Sequence, residues 1–305
     1  MFGKLLDNVV LPNQYDDTRV EGRILIYDAD PLAYKSAATV KRLRTAISRF
    51  QTGVLEMMYL TKSVTAHVHL THKDSHKAGR HLMKGIKPYQ ANRKGGAKPA
   101  LLYDLRDAVI LPENVLSEYS AWMHMPVEAD DACMIDAYRF KDAAVLASED
   151  KDLRQTPYLF YDNYRDEIIK AHGIGSLWEH VTPAGNMSPH GIGRIFFWAQ
   201  MLMGDTADNV AGLQEYEGER IGDVRTLEVL TPYNDTEDES EVANLVIDGY
   251  RKIDQNPYPE GYMLHMMRAW GDSFHHVVSE LDWTVKNKKF LQECVGRDWF
   301  EQEAL

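Results

Sequence analysis

Short runs of β-branched and aromatic residues that each give way to acids, with helical stretches between them, constrain this chain more than any other feature. Arg23 to Tyr27 (RILIY) reads as a buried strand ending at Asp28. Ser63 to Leu70 (SVTAHVHL) alternates like a second strand, with Asp74 shortly after it. Lys141 to Ser148 contains a third run, AAVLAS, followed by Asp150 and Asp152. Residues 31–60 read as helix, and so does Val127 to Phe140, introduced by Pro126 and opened by Glu128, Asp130 and Asp131. Strands separated by helices predict an α/β domain with a largely parallel sheet. In such sheets ligands gather beyond the carboxyl ends of the strands.

Further along, Lys84 to Lys98 (KGIKPYQANRKGGAK) reads as a loop or arch, and Pro189 to Gly204 as a helix. Gly204 to Leu230 holds glycine-punctuated short helices opened by Asp205 and Asp208. A soft boundary falls near residue 190, the acidic Asn234 to Glu241 stretch reads as an exposed loop, and Tyr262 to Val278 has helical patterning. Trp270, Trp283 and Trp299 are expected in the core of the second half. The first 22 residues are an N-terminal extension without a readable function.

With 305 residues, 44% of them hydrophobic, the chain is long and apolar enough to bury a sizeable core. Ile195 to Met203, its most apolar run, is far short of the roughly 20 residues of a membrane span and reads as a buried helix. The opening MFGKLLDNVVLPNQYDD lacks the pattern of a signal peptide. Cys133 and Cys294 are too few for a disulfide framework, so a cytoplasmic protein is expected. A net charge of −12 argues against a nucleic-acid partner only until its distribution is read. Lys73, Lys77, Arg80, Lys84, Lys87, Arg93, Lys94 and Lys98 form a basic segment in which Asp74 is the one acid.

Parallel strands would bring the acids to one sheet edge. Carboxylates within about 4–6 Å raise one another's pKa, so such a cluster needs cations. Oxygen-only ligation favours Mg2+ or Mn2+, and two ions about 3.5–4 Å apart suit phosphodiester hydrolysis. Taken singly, each acid has a plainer explanation: Glu128 to Asp131 complement a helix N-terminus, and Asp205 is an N-cap. Their recurrence is what argues for a site. His67, His69, His72, His76 and His81 crowd the second strand, and His67 and His69 share a face, but no Cys or HxxxH completes a tetrahedral zinc set. No GxxxxGK[ST] phosphate loop and no GxSxG elbow occur.

YDAD at 27–30, PYQANRK at 88–94, EADD at 128–131, SEDKDL at 148–153 and MGDTADNVAGL at 203–213 resemble, in order and spacing, the 5′ nuclease superfamily. That superfamily includes flap endonucleases, the 5′ nuclease domain of bacterial DNA polymerase I and bacteriophage 5′ to 3′ exonucleases. The resemblance spans residues 23–230 and is strongest to the bacteriophage members. It implies a PIN-like α/β core over residues 23–190, with a helical arch at about 74–105, and a helical region over 191–305 with a helix–three-turn–helix DNA-binding motif. It implies one metal site of Asp28, Asp74, Glu128 and Asp130, and a second of Asp150, Asp152, Asp205 and Asp208, with Asp131 supporting both. Asp30 is an additional candidate.

The resemblance further implies that Tyr89 stacks on a base while Arg80, Lys84, Lys87, Arg93 and Lys94 hold phosphates. Gly204, Gly212 and Gly222 are the expected points of close backbone approach to a duplex, with K+ bound in the same region. Gln90 stands where many relatives carry lysine, so Lys87 or Lys94 takes over that charge, or turnover is slower. The implied activity is Mg2+- or Mn2+-dependent 5′ to 3′ exonuclease and flap endonuclease cleavage, using two ions, on DNA with free 5′ ends, flaps or nicks, extending to RNA in RNA–DNA hybrids. The implied protein is a monomer of DNA replication and repair. A PIN-type ribonuclease and a non-catalytic branched-DNA-binding protein are the alternatives.

Overall fold

Ile24, Leu25, Ile26 and Tyr27 leave β1 (Ile24–Asp28) no polar face to show to water, so the strand lies at the middle of a sheet covered on both sides. The protein, described by a computed structural model over residues 19–93, 95, 97–181, 185 and 187–301, continues through α1 (Asp30–Ala37), α2 (Leu43–Leu60) and β2 (Thr65–Thr71). There follow α3 (Leu102–Val109), β3 (Tyr119–His124), α4 (Ala129–Phe140), β4 (Ala144–Ala147), β5 (Phe160–Asp162) and β6 (Glu167–Ile169). A hairpin of β7 (Ser176–Val181) and β8 (Met187–Ile192) leads into α5 (Arg194–Met203). The chain then forms α6 (Asp223–Leu230), α7 (Glu239–Lys252), α8 (Tyr258–Leu264), α9 (Phe274–Glu280) and α10 (Val285–Val295).

The main sheet has the order β3-β2-β1-β4-β5-β6 and is parallel except for the β5–β6 pair. This is the mostly parallel α/β architecture expected from the sequence. Alternation sends Leu25 and Tyr27 to one face, where Ala33, Phe50, Val54 and Leu105 of α1 to α3 cover them. Ile26 faces the other way, against Cys133 and Met134 of α4. In α2 the buried Ala46, Phe50, Val54 and Met58 recur every four residues, giving the helix one apolar stripe. A second core gathers Phe197, Trp198, Val246, Tyr250, Phe274 and Leu291 from the C-terminal helices. Register aligns the strand ends: Asp28 lies opposite His69 of β2, and Tyr27 opposite Ala147 of β4.

Several elements differ from the sequence reading. The helix expected over 31–60 is two helices, because Thr39 has φ +62° between them and breaks the helical path. β3 is an extra strand that escapes pattern reading because it lies at the sheet edge, where its residues are mostly half-buried. The helix expected from Pro189 begins at Arg194. Pro189 belongs to β8, in a two-stranded sheet where a missing N–H is tolerated, and the expected boundary near 190 falls within that strand. Glu239 to Glu241, the end of the stretch expected as an exposed loop, begin α7, and Glu239 accepts hydrogen bonds from Arg194 and Trp198. Trp270 is 62% exposed, whereas Trp283 and Trp299 pack on the second core.

The stretch expected as a helical arch, about residues 74–105, holds among its described residues a 3-10 segment, Lys77–Leu82, kinked at Ala78 and Gly79, and the first residues of α3. Residues 84–93 are pinned down. The Lys84 amide donates to Trp299 O, the Gln90 amide to Asp208 O and the Asn209 side chain to Pro88 O. Among the described residues no helix is long and apolar enough to cross a membrane.

Candidate metal centre

Loops following β1 and β4, together with the start of α4, meet at the carboxyl edge of the sheet. Asp28, Asp30, Glu128, Asp130, Asp150 and Asp208 line a cleft of about 390 Å3 there, together with Glu149, Gln90, Arg93 and Arg106. Asp28 is fixed by the Asp30 amide at 3.2 Å and by the Ser148 hydroxyl, which donates to Oδ2 at 2.7 Å. Ser148 also accepts the Asp150 amide at 2.8 Å, so one hydroxyl sets the relative position of two carboxylates. Glu128 is the N-cap residue of α4 but makes no capping bond, which leaves its carboxylate to the cleft at the positive end of the helix. Arg106 holds Asp30 at 2.8 Å.

A second group lies beside the first. Asp152, Asp205 and Asp208 each offer an oxygen within 4.8 Å of the others. The Lys151 ammonium bridges Asp152 at 2.9 Å and Asp205 at 2.6 Å, and Gln200 donates to Asp152 at 2.6 Å. Asp208 accepts from Tyr89 at 2.9 Å, from Gln90 at 3.0 Å and from Arg93.

The electrostatics follow from this crowding. Burial, then the charge of Asp30, pushes Asp28 up to about 7. Burial, then Asp152, pushes Asp150 up to about 8. Asp130 is raised by burial and by Asp131 and Glu128, and Asp205 by burial and by Asp152. Asp152 moves the other way, since the Lys151 charge and its hydrogen bonds outweigh the effect of burial. Buried carboxyls that resist ionisation next to one another are a donor set that a hard cation would relieve, and the all-oxygen chemistry fits Mg2+ or Mn2+.

Of the expected site residues, Asp28, Glu128, Asp130, Asp150 and Asp208 come together in the cleft, with Asp152 and Asp205 beside it. Asp74 does not join them: its side chain is 69% exposed and its nearest ionic contact is His72 at 3.9 Å. Asp30 lines the cleft instead. Asp131 is fully buried and clamped by both terminal nitrogens of Arg80 at 2.7 Å, and it accepts the Met267 amide, so it braces the fold and has no spare face for an ion. Arg80, 2% exposed, is equally unavailable to phosphates.

The remaining expected contacts sort similarly. Tyr89 packs on the second core and donates to Glu128 and Asp208, so its ring is not free to stack on a base. Lys84 pairs with Asp298, Lys87 is exposed, and Arg93 is held at Asp208. Lys94 lies outside the described residues. Gly212 faces inward: a Cβ there would stand 2.3 Å from the Gly204 amide. Gly222, the N-cap residue of α6, has open space where a Cβ would be. Sequence reading missed Lys151 and Ser148, although both lie inside SEDKDL, and missed Arg106 and Gln200, which carry no local signal; it placed Lys77 only in the basic segment. The Lys77 ammonium bonds Gln90 and lies 3.5 Å from Glu128.

No protein-family model and no curated protein matches the sequence. Among solved structures the similarity defines a class, the 5′ nuclease fold in its bacteriophage form. Particular members are the T5 D15 protein co-crystallized with metal ions, and the bacteriophage T5 D15 flap endonuclease in a pseudo-enzyme-product complex with DNA and metal ions. Each has a TM-score of 0.50 and 16% identity and covers 90% of this chain, with 98% of the first neighbour covered and 99% of the second.

Proposed function

We propose that this chain is a divalent-metal-dependent 5′ nuclease that hydrolyses DNA phosphodiester bonds at 5′ ends, flaps and nicks. The observation carrying this reading is the convergence, from β1, α4, the loop after β4 and the turn after α5, of carboxylates far apart in sequence into one cleft. Asp28, Glu128, Asp130 and Asp150 would hold one Mg2+ or Mn2+, and Asp152, Asp205 and Asp208 a second. Such ions supply Lewis-acid activation of water and of the scissile phosphate.

The chain's own groups do the positioning. Ser148 holds Asp28 and Asp150 in register, and Gln200 orients Asp152. Lys151 neutralises Asp152 and Asp205, and its long flexible stem allows it to swing aside for an ion. Lys77, beside Gln90, is placed to supply the positive charge that an arch lysine gives in relatives. The helix–turns–helix of α5 and α6 leaves open space at Gly222, the N-cap residue of α6, for a duplex backbone to approach, with K+ in the intervening turns as part of the same reading. RNA in RNA–DNA hybrids and a monomeric state belong to it too.

Asp150→Asn tests it. Burial already disfavours the charged form of Asp150, so the amide should not lower the melt. Mg2+-dependent cleavage of a 5′-labelled flap should disappear, as it should for Asp205→Asn. Undiminished cleavage by both variants would remove the assignment. A wild-type band shift in Ca2+ with no cleavage in Mg2+ or Mn2+ would leave a branched-DNA-binding protein.

A further inference from the structure

Strand alternation puts His67 and His69 of β2 on the face that α4 covers, and α4 brings Asp136 to them. His67 Nδ1 lies 2.6 Å from Asp136 Oδ2, and His69 Nε2 lies 3.3 Å from the same oxygen. The three donor atoms fall within 4.8 Å of one another. On its far side His69 engages His124 of β3, Nδ1 to Nε2, at 2.9 Å. His69 Nε2 is buried and has no hydrogen-bond partner although it faces a carboxylate. An aimed, unpartnered ring nitrogen in a polar cluster is a group that protein interiors ordinarily satisfy.

We propose that His67, His69 and Asp136 form a binding site for Zn2+ or another ion of its class, separate from the carboxylate cleft, with His124 orienting His69. Two imidazoles and one carboxylate are the donor set such ions prefer, where Mg2+ prefers oxygen alone. In a tetrahedron with metal–ligand bonds of about 2.0–2.1 Å, adjacent ligand atoms stand about 3.3 Å apart. The His69–Asp136 pair has that spacing, and the His67–Asp136 pair reaches it by a small side-chain rotation. A ligating histidine commonly directs its other nitrogen to a hydrogen-bond partner, the place His124 takes.

The fourth coordination position opens into a hollow of about 270 Å3 bordered by Trp122, Arg139 and Trp270, room for water or a small anion. The hollow shares no lining residue with the carboxylate cleft. The assignment stands whether or not the chain cleaves DNA.

The test uses the full chain, stripped with chelator and then kept in excess Mg2+ so that hard oxygen sites are occupied. Co2+ titration, followed by the visible absorption of four-coordinate Co2+, should saturate at one equivalent and be reversed by Zn2+. Asp150→Asn should leave the signal intact. His67→Gln and Asp136→Ala should each weaken binding more than tenfold, and His124→Phe by the roughly 10–100-fold typical of a lost ligand-orienting partner. Because these variants remove packed groups, imidazole nitrogen spectra of the unmutated chain give an independent reading. Zn2+ should shift His67, His69 and His124 and leave the other nine of the twelve histidines in place. No absorption band, a band unchanged in His67→Gln, a band lost in Asp150→Asn, or Zn2+ shifts confined to other histidines would overturn the proposal.

Discussion

Arg80 shows how a single residue can belong to one role by sequence and another by structure. In the basic segment it reads as a phosphate ligand, yet it is sealed against Asp131 with no route to a nucleic acid. Removing one partner of a buried ion pair strands the other charge, so Arg80→Met should cost about 3–5 kcal/mol of stability, read by denaturant unfolding. Lys77 is the reverse case, one lysine among several in the same basic segment, whose ammonium lies beside Gln90 and Glu128. Lys77→Ala should lower single-turnover cleavage on the order of 100–1,000-fold, as loss of a transition-state donor does, with little change in melting. If cleavage is unaffected, the compensating charge comes from elsewhere.

At the scale of elements, the site depends on tight joints. The turn after α5 brings Asp205 and Asp208 back toward the sheet because Gly204 and Gly212, both at positive φ, let two backbones touch. Gly212→Ala should therefore destabilise by at least the roughly 1–2 kcal/mol of a left-handed non-glycine residue. The contact with the Gly204 amide adds to that, and a denaturation midpoint would register it. Residues 84–93 are the other joint, tied through Gln90, Asn92 and Arg93 to residues 206–208. The segment's glycine and lysine content reads as a loop or arch. The tethers that fold it down come from residues more than a hundred positions away, beyond any local pattern.

For the molecule as a whole, the acid cluster links stability to pH and to divalent ions. Asp28 and Asp150 ionise in the unfolded chain near 3.8 but in the folded chain only at about 7 and about 8. The folded state therefore holds more protons between pH 4 and 8. Their contribution is fully present below the unfolded value and is lost as pH rises through the folded values. In EDTA the melting temperature should fall across this window, as stability drops by up to about 1.4 kcal/mol per pH unit for each group held protonated. Mg2+, which needs ionised carboxylates, should raise it, and by more at pH 8 than at pH 5. A melt independent of pH and Mg2+ would mean that the carboxylates do not act as one cluster. By itself the sequence determined the parallel α/β core and most of the acids that gather at its edge. Continuous apolar strands can be buried only in such a sheet, and strand direction then dictates where the next residue points. Only the tertiary structure decided that Asp74 stays outside, that Asp131 is taken by Arg80, that Lys151 lies between two carboxylates, and that Asp136 meets two histidines. Those outcomes depend on distances between elements distant in the chain, and packing sets such distances where local patterning has no say.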